Sequence, residues 1–179
     1  MIKNCTVLVA VALVTLRVPA AQAKVTDLTA SGFTIKHTVE LNKSPAEAYA
    51  IFTGKIASWW DAEHTYSGKS ENLSIELRPN GCFCEKLENQ GFVVHMSVIN
   101  AQAGKLLRMT GGLGPLQGMA LTGVMTIEFK GEGQHTTVSL PYTVGGYTSG
   151  GFDKLAPLVD QVMVQQMTRY ERFATTGKL

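Results

Sequence analysis

The side chains best suited to chemistry gather in the middle of the chain. Cys82-Phe83-Cys84-Glu85 is followed, across a short turn, by His95. Side chains alternate along a strand, so Cys82 and Cys84 share one face. With a turn centred on Asn89-Gln90, Cys84 falls opposite His95 and Cys82 opposite Ser97. Two sulfurs and an imidazole would then converge, a donor set that suits zinc or copper with an open position. The same pair can be two free thiols packed as small hydrophobes. It can also be a Cys82–Cys84 disulfide, although side chains two apart on a strand stand wide of the usual separation. These readings stay open, with Cys82, Cys84 and His95 as the metal candidates. Glu85 alternates to the opposite face, shared with Phe83 and Val94. On an apolar wall its carboxyl pKa would rise, fitting it for acid or base work.

A second group lies upstream. Trp59-Trp60-Asp61 leads into His64 and Tyr66, and aromatic rings over an apolar space make a lid and a platform for a ligand. The ligand-binding candidates are Trp59, Trp60, His64, Tyr66, Phe83, Glu85, Tyr142 and Val162, and the catalytic candidates are Glu85 and His64. His37 and His135 read as solvated positions near strand ends. Other motifs fail. Gly68-Lys69-Ser70 lacks the leading glycine of a phosphate loop, since Glu63 stands there. Gly111-Gly112-Leu113-Gly114 follows a strand, but another strand comes next where a dinucleotide fingerprint needs a helix. Gly145-Gly146 and Gly150-Gly151 read as a flap before the last element.

These residues must be positioned by a simple order of elements. Thr34–Leu41 alternates Ile35, His37, Val39 and Leu41 against polar neighbours, a strand with one buried face. Ser44-Pro45-Ala46-Glu47 combines an N-cap serine, a first-turn proline and a capping-box glutamate. Ala46, Tyr49, Ala50 and Thr53 then fall at helical spacing before Gly54, and Lys55–Trp60 forms a second short helix. From Leu73 the period is two. Strands are predicted over 73–77, 82–87, 92–100, 105–110, 121–130 and 136–144, with Pro79-Asn80-Gly81 and Glu88–Gly91 as hairpin turns. Phe152–Phe173 is one long helix whose Leu155, Val159, Val162, Gln166, Tyr170 and Phe173 share a face, widened by Leu158, Met163 and Met167. The expected fold is therefore α+β. A curved antiparallel sheet of about seven strands wraps around a long C-terminal helix, with two short helices after the first strand.

Residues 1–23 read as a signal peptide. Lys3 supplies the positive start, Val7–Leu16 the apolar run and Ala21-Gln22-Ala23 the cleavage site. The run is short of the roughly 20 residues that span a bilayer, and Cys5 stands too early for a lipoprotein site. Residues 24–179 form the single mature domain, expected in the periplasm or secreted, with no integral membrane segment after processing. The formal charge of the full chain is +2, and removing Lys3 and Arg17 leaves it neutral. A neutral surface with scattered basic residues offers no grip on nucleic acid.

The order of elements resembles the helix-grip superfamily called SRPBCC or START-like, which includes polyketide cyclases and activators of a heat-shock ATPase. The resemblance rests on Ser44-Pro45 with the helix leading to Trp59-Trp60, the Pro79-Asn80-Gly81 hairpin before Phe83, and the long last helix. It is nearest to an exported bacterial subgroup with His64-Thr65-Tyr66-Ser67-Gly68 and Gly81-Cys82-Phe83-Cys84-Glu85. What the resemblance implies is a cavity for a small apolar molecule, used for carriage or, alternatively, for cyclase or hydrolase chemistry. Export argues against the ATPase-activator role. No cofactor is expected unless the cysteine cluster holds a metal, and the sequence sets no oligomeric state.

Overall fold

A computed structural model describes residues 25–179; the leader 1–23 and its cleavage site lie outside them. The chain runs β1 (Val25–Thr29), β2 (Gly32–Leu41), α1 (Pro45–Gly54), α2 (Ile56–Trp59), β3 (Leu73–Ile75), β4 (Cys82–Lys86), β5 (Phe92–Gln102), β6 (Leu106–Gly111), β7 (Ala120–Glu132), β8 (His135–Tyr147) and α3 (Leu155–Thr176). The strands form one antiparallel sheet of eight, in the order β1-β2-β8-β7-β6-β5-β4-β3. The count is eight where about seven were expected. The additional strand is β1, an edge strand that is almost wholly exposed and so lacks the alternation by which a strand is recognised. Among the described residues no helix is long and apolar enough to cross a membrane.

Local sequence chemistry sets the elements. Ser44 caps α1 through a complete capping box, its hydroxyl accepting from Glu47 N–H while the Glu47 carboxylate accepts from Ser44 N–H at 2.9 Å. Ala48, Tyr49, Phe52 and Thr53 are the buried side of α1, so Ala46 and Ala50 face outward. Gly81 closes the β3–β4 hairpin because a Cβ there would sit 2.0 Å from the Glu76 carbonyl oxygen. Gly145-Gly146 belongs to β8 rather than to a flap, and a side chain at Gly146 would strike the Ala120 carbonyl across the ladder.

The inner face of the sheet buries Phe33, Ile35, Leu107, Met109, Ile127 and Leu140 under α1, α2 and α3. At one end the gap between α3 and the sheet is filled by aromatic rings. Phe52 lies 5.0 Å from both Trp59 and Tyr170 and 5.9 Å from Phe129, and the Tyr170 hydroxyl donates to the Ala48 carbonyl. Midway, the methionines Met109, Met125, Met163 and Met167 leave a void of only about 10 Å³. His37 departs from the expected picture. It is fully buried at the centre of β2, with Nε2 3.0 Å from the Asp160 carboxylate of α3. His135 is exposed near Glu40.

Candidate functional site

The open space of the molecule lies at the end of the helix–sheet gap that the aromatic rings do not fill. It is a cavity of about 430 Å³, within the range that holds a small ligand. Three segments and one strand residue build it. The first segment runs from Trp60 through the 3₁₀ turn Ala62–His64 to Tyr66, the second is the loop and 3₁₀ turn Leu113–Met119, and the third is the first half of α3. His95 of β5 completes the wall.

Each segment is pinned by identifiable bonds. The Trp60 indole donates to the His64 carbonyl at 3.1 Å, and its ring packs at 5.2 Å on Phe83. Asp61 N–H donates to Gln166 at 2.9 Å, Gln165 donates to the Asp61 carboxylate at 2.5 Å, and Gln165 Oε1 lies 3.1 Å from His64 Nε2. Arg169 adds a bond to the Trp59 carbonyl at 2.9 Å. The turn after α2 is therefore stitched to α3. The Leu113–Met119 loop is held by Tyr142, whose buried hydroxyl accepts from Leu113 N–H and donates to the Gly111 carbonyl. Burial pushes that phenol up to about 12, against the Leu113 bond. Gln117 ties the loop to β5 by donating to the Val94 carbonyl.

Glu85 and His95 form the most unusual pair. Glu85 is completely buried, and its carboxylate accepts from Tyr66 N–H at 3.0 Å, from Ser67 N–H at 2.5 Å and from His95 Nε2 at 3.0 Å. Burial alone would raise this carboxyl. The bonds from Ser67, Tyr66 and His95 outweigh it and hold the group below its ordinary value. This reverses the expected rise. Burial lowers His95, with Glu85 acting in the opposite sense, so the ring is neutral near pH 7. The ring lies between Phe83 at 4.9 Å and Tyr66 at 5.9 Å.

The expected convergence of Cys82, Cys84 and His95 does not occur. The turn lies where expected, with Asn89 and Gln90 at positive φ, but the ladder beyond it pairs Cys84 with Val94. A bulge between Phe83 and Cys84 then restores Cys82 opposite Ser97. The extra residue is His95, which joins Met96 on the buried face while Val94 turns outward. Cys82 and Cys84 are joined to each other in a disulfide on the outer face, with Cα atoms 5.3 Å apart. Among the described residues no group of three metal-ligating side chains forms.

Of the candidate ligand residues, Trp60, His64, Tyr66 and Val162 line the cavity. Trp59 is core, its indole bonded to the Phe52 carbonyl; Phe83, Glu85 and Tyr142 stand one layer behind the wall. Sequence reasoning missed the Leu113–Met119 loop, although Gly-Gly-Leu-Gly-Pro after a strand is a clear signal of irregular backbone. It also assigned His95 to the wrong face, since nothing in the residue pattern announces a bulge.

No family model matches the chain, and no curated protein does. Solved structures do. A conserved protein of unknown function from Enterococcus faecalis superposes with a TM-score of 0.58 at 14% identity, covering 85% of this chain and 77% of that one. An uncharacterised protein from Rhizobium leguminosarum gives 0.54 at 15% identity, covering 80% and 96%. DynU16, from the dynemicin biosynthetic locus, gives 0.58 at 15% identity over 81% of this chain, which spans 48% of that protein. The likeness is one of fold. The architecture is helix-grip-like, with an eight-stranded antiparallel sheet and a long C-terminal helix.

Proposed function

We propose that this chain is an exported protein of the helix-grip (SRPBCC or START-like) type that binds a small hydrophobic molecule in its cavity and carries or senses it without transforming it. The observation that carries this reading is the wall itself. Apart from His95 and the rim around Glu63, His64 and Thr65, the cavity is faced mainly by apolar side chains, among them Trp60, Leu116, Met119, Val159, Val162 and Met163. An apolar surface of that kind gains free energy by exchanging water for an apolar ligand, on the order of 25 cal/mol per Å² covered. The signal-like leader supports release of the mature domain from Lys24 into the periplasm or beyond.

The test is a titration with prodan, a naphthalene fluorophore that has no hydrogen-bond donor. One saturable site is expected on the folded mature domain, abolished by Val162→Arg, which puts a cation into the wall. Unsaturable binding, or unchanged binding in the variant, would overturn the reading. Amino-terminal sequencing of the exported protein tests the leader, and an intact Met1 in a soluble cytoplasmic form defeats it.

A second reading is favoured by the Glu85–His95 pair. A carboxylate that orients a neutral imidazole beside a cavity is the arrangement of a general base, so a cavity enzyme using His95 is the alternative. Turnover lost in a folded His95→Phe variant would support it.

A further inference from the structure

Within that ligand-binding reading, the polar chemistry of the wall narrows the ligand. Glu85 is ionised and accepts only, so the hydrogen between it and His95 belongs to Nε2. A neutral ring then carries a bare lone pair on Nδ1. That atom is buried and has no hydrogen-bond partner among the described residues. The other buried atoms so placed belong to His37, Asp160 and Gln166, none of which lines the cavity. An acceptor left unpaired in an apolar setting costs about 1–3 kcal/mol, and a donor brought by the ligand recovers it. The tautomer is not free to change, because Glu85 is itself fixed by two backbone N–H groups.

We infer that the cavity is built for an apolar, ring-bearing molecule with a single hydrogen-bond donor, a hydroxyl of the phenol type, which bonds to Nδ1 of His95. The ring-shaped body is matched by the Trp60 and Tyr66 rings and by the sulfurs of Met119 and Met163 on the same wall. The Tyr66 ring packs 5.9 Å from the His95 ring and, on this inference, is the part that moves. Its side chain is more than half exposed and is tethered through its hydroxyl to the Gly114 carbonyl at 3.1 Å. Binding in this way requires that ring to swing aside so that Nδ1 meets the ligand.

The experiment displaces prodan from the mature protein with 2-naphthol and with 2-methoxynaphthalene, which share the naphthalene body and its oxygen and differ by a methyl in place of the hydroxyl hydrogen. The phenol is expected to bind about tenfold more tightly, the worth of one net hydrogen bond. In His95→Phe both should bind with no preference between them. Nitrogen NMR of the wild-type ring supplies a readout that needs no variant: the Nδ1 resonance should move upfield with 2-naphthol and stay in place with the ether. Equal affinities in the wild type, a preference that persists in His95→Phe, or an unmoved Nδ1 resonance each overturn the inference. If prodan itself finds no site, the ligand-binding reading fails first, so the two failures are distinguishable.

Discussion

A carboxylate taken out of water stays ionised only where protein donors replace its hydration. Glu85 has three such donors, and their loss is the simplest residue-scale prediction. Glu85→Gln sets an amide NH₂ among groups that need an acceptor, so unfolding free energy should drop by about 1–3 kcal/mol in urea melts; no measurable drop would mean the pair is not formed. The pH dependence is set chiefly by the three buried groups whose values are lowered, Glu85, His37 and His95. Glu85 titrates below its ordinary value of 4.5, so its contribution is complete above that value and is lost as pH falls through the lower folded one. His37 and His95, both depressed chiefly by burial, bind protons more readily unfolded than folded, so stability declines as pH falls below the ordinary 6.5. Urea midpoints should therefore fall from pH 7 to pH 5, with a gentler slope in His95→Phe. A flat or rising profile contradicts the burial of these rings. The Cys82–Cys84 link closes a very short loop, so Cys82→Ser with Cys84→Ser should cost only about 1–2 kcal/mol. Thiol titration of the denatured, unreduced protein should find neither cysteine free.

At the scale of elements, α3 has two apolar faces rather than one. Ala156, Asp160, Met163, Met167, Tyr170 and Ala174 lie against the sheet, while Leu155, Leu158, Val159 and Val162 look toward the cavity. The sequence pattern placed the core face one position away because apolar residues occupy both sides of the first two turns, and Asp160 hides the true stripe. That aspartate meets His37 in the core. Removing one partner of such a pair leaves a polar group uncompensated, here a neutral imidazole, so Asp160→Ala should cost about 1–3 kcal/mol, whereas His37→Leu with Asp160→Leu should be near neutral. Calorimetric midpoints of the two variants check this, and equal losses would sink it. What was legible from residues alone follows the same logic. The order of strands and helices was readable because alternation, the Ser44 cap and the Asn80-Gly81 turn are local signals. β1 was not, being an exposed edge with no buried face to betray it. The cavity wall was half readable. The Trp60–Tyr66 segment announces itself by composition, but the β5 bulge that turns His95 inward depends on which arrangement buries more surface, a property of the assembled sheet.

For the molecule as a whole, on the ligand-binding reading proposed above, stability and binding are separated along one groove. The gap that a curved sheet leaves beneath a helix is closed at one end by Phe52, Trp59, Phe129 and Tyr170, is sealed midway by methionines, and opens at the other end. Free energy of folding accumulates at the aromatic end, where every ring is buried, whereas the open end leaves Leu158, Met119 and Tyr66 exposed around the mouth. Substitutions at the two ends should therefore have opposite signatures. Phe52→Ala removes a buried ring from the cluster and should cost about 3–5 kcal/mol, yet the surviving folded protein should bind prodan with unchanged affinity. Val162→Arg, at a half-buried position of the cavity wall, should cost only about 1 kcal/mol of unfolding free energy, while removing ligand-induced stabilisation. In the wild type that stabilisation should reach about 2.7 kcal/mol at a hundredfold excess over Kd. Thermal melts of the three proteins with and without ligand carry the whole comparison. If Phe52→Ala weakened binding in proportion to its loss of stability, the two ends would be one cooperative site, and the division of the groove into a structural half and a binding half would be wrong.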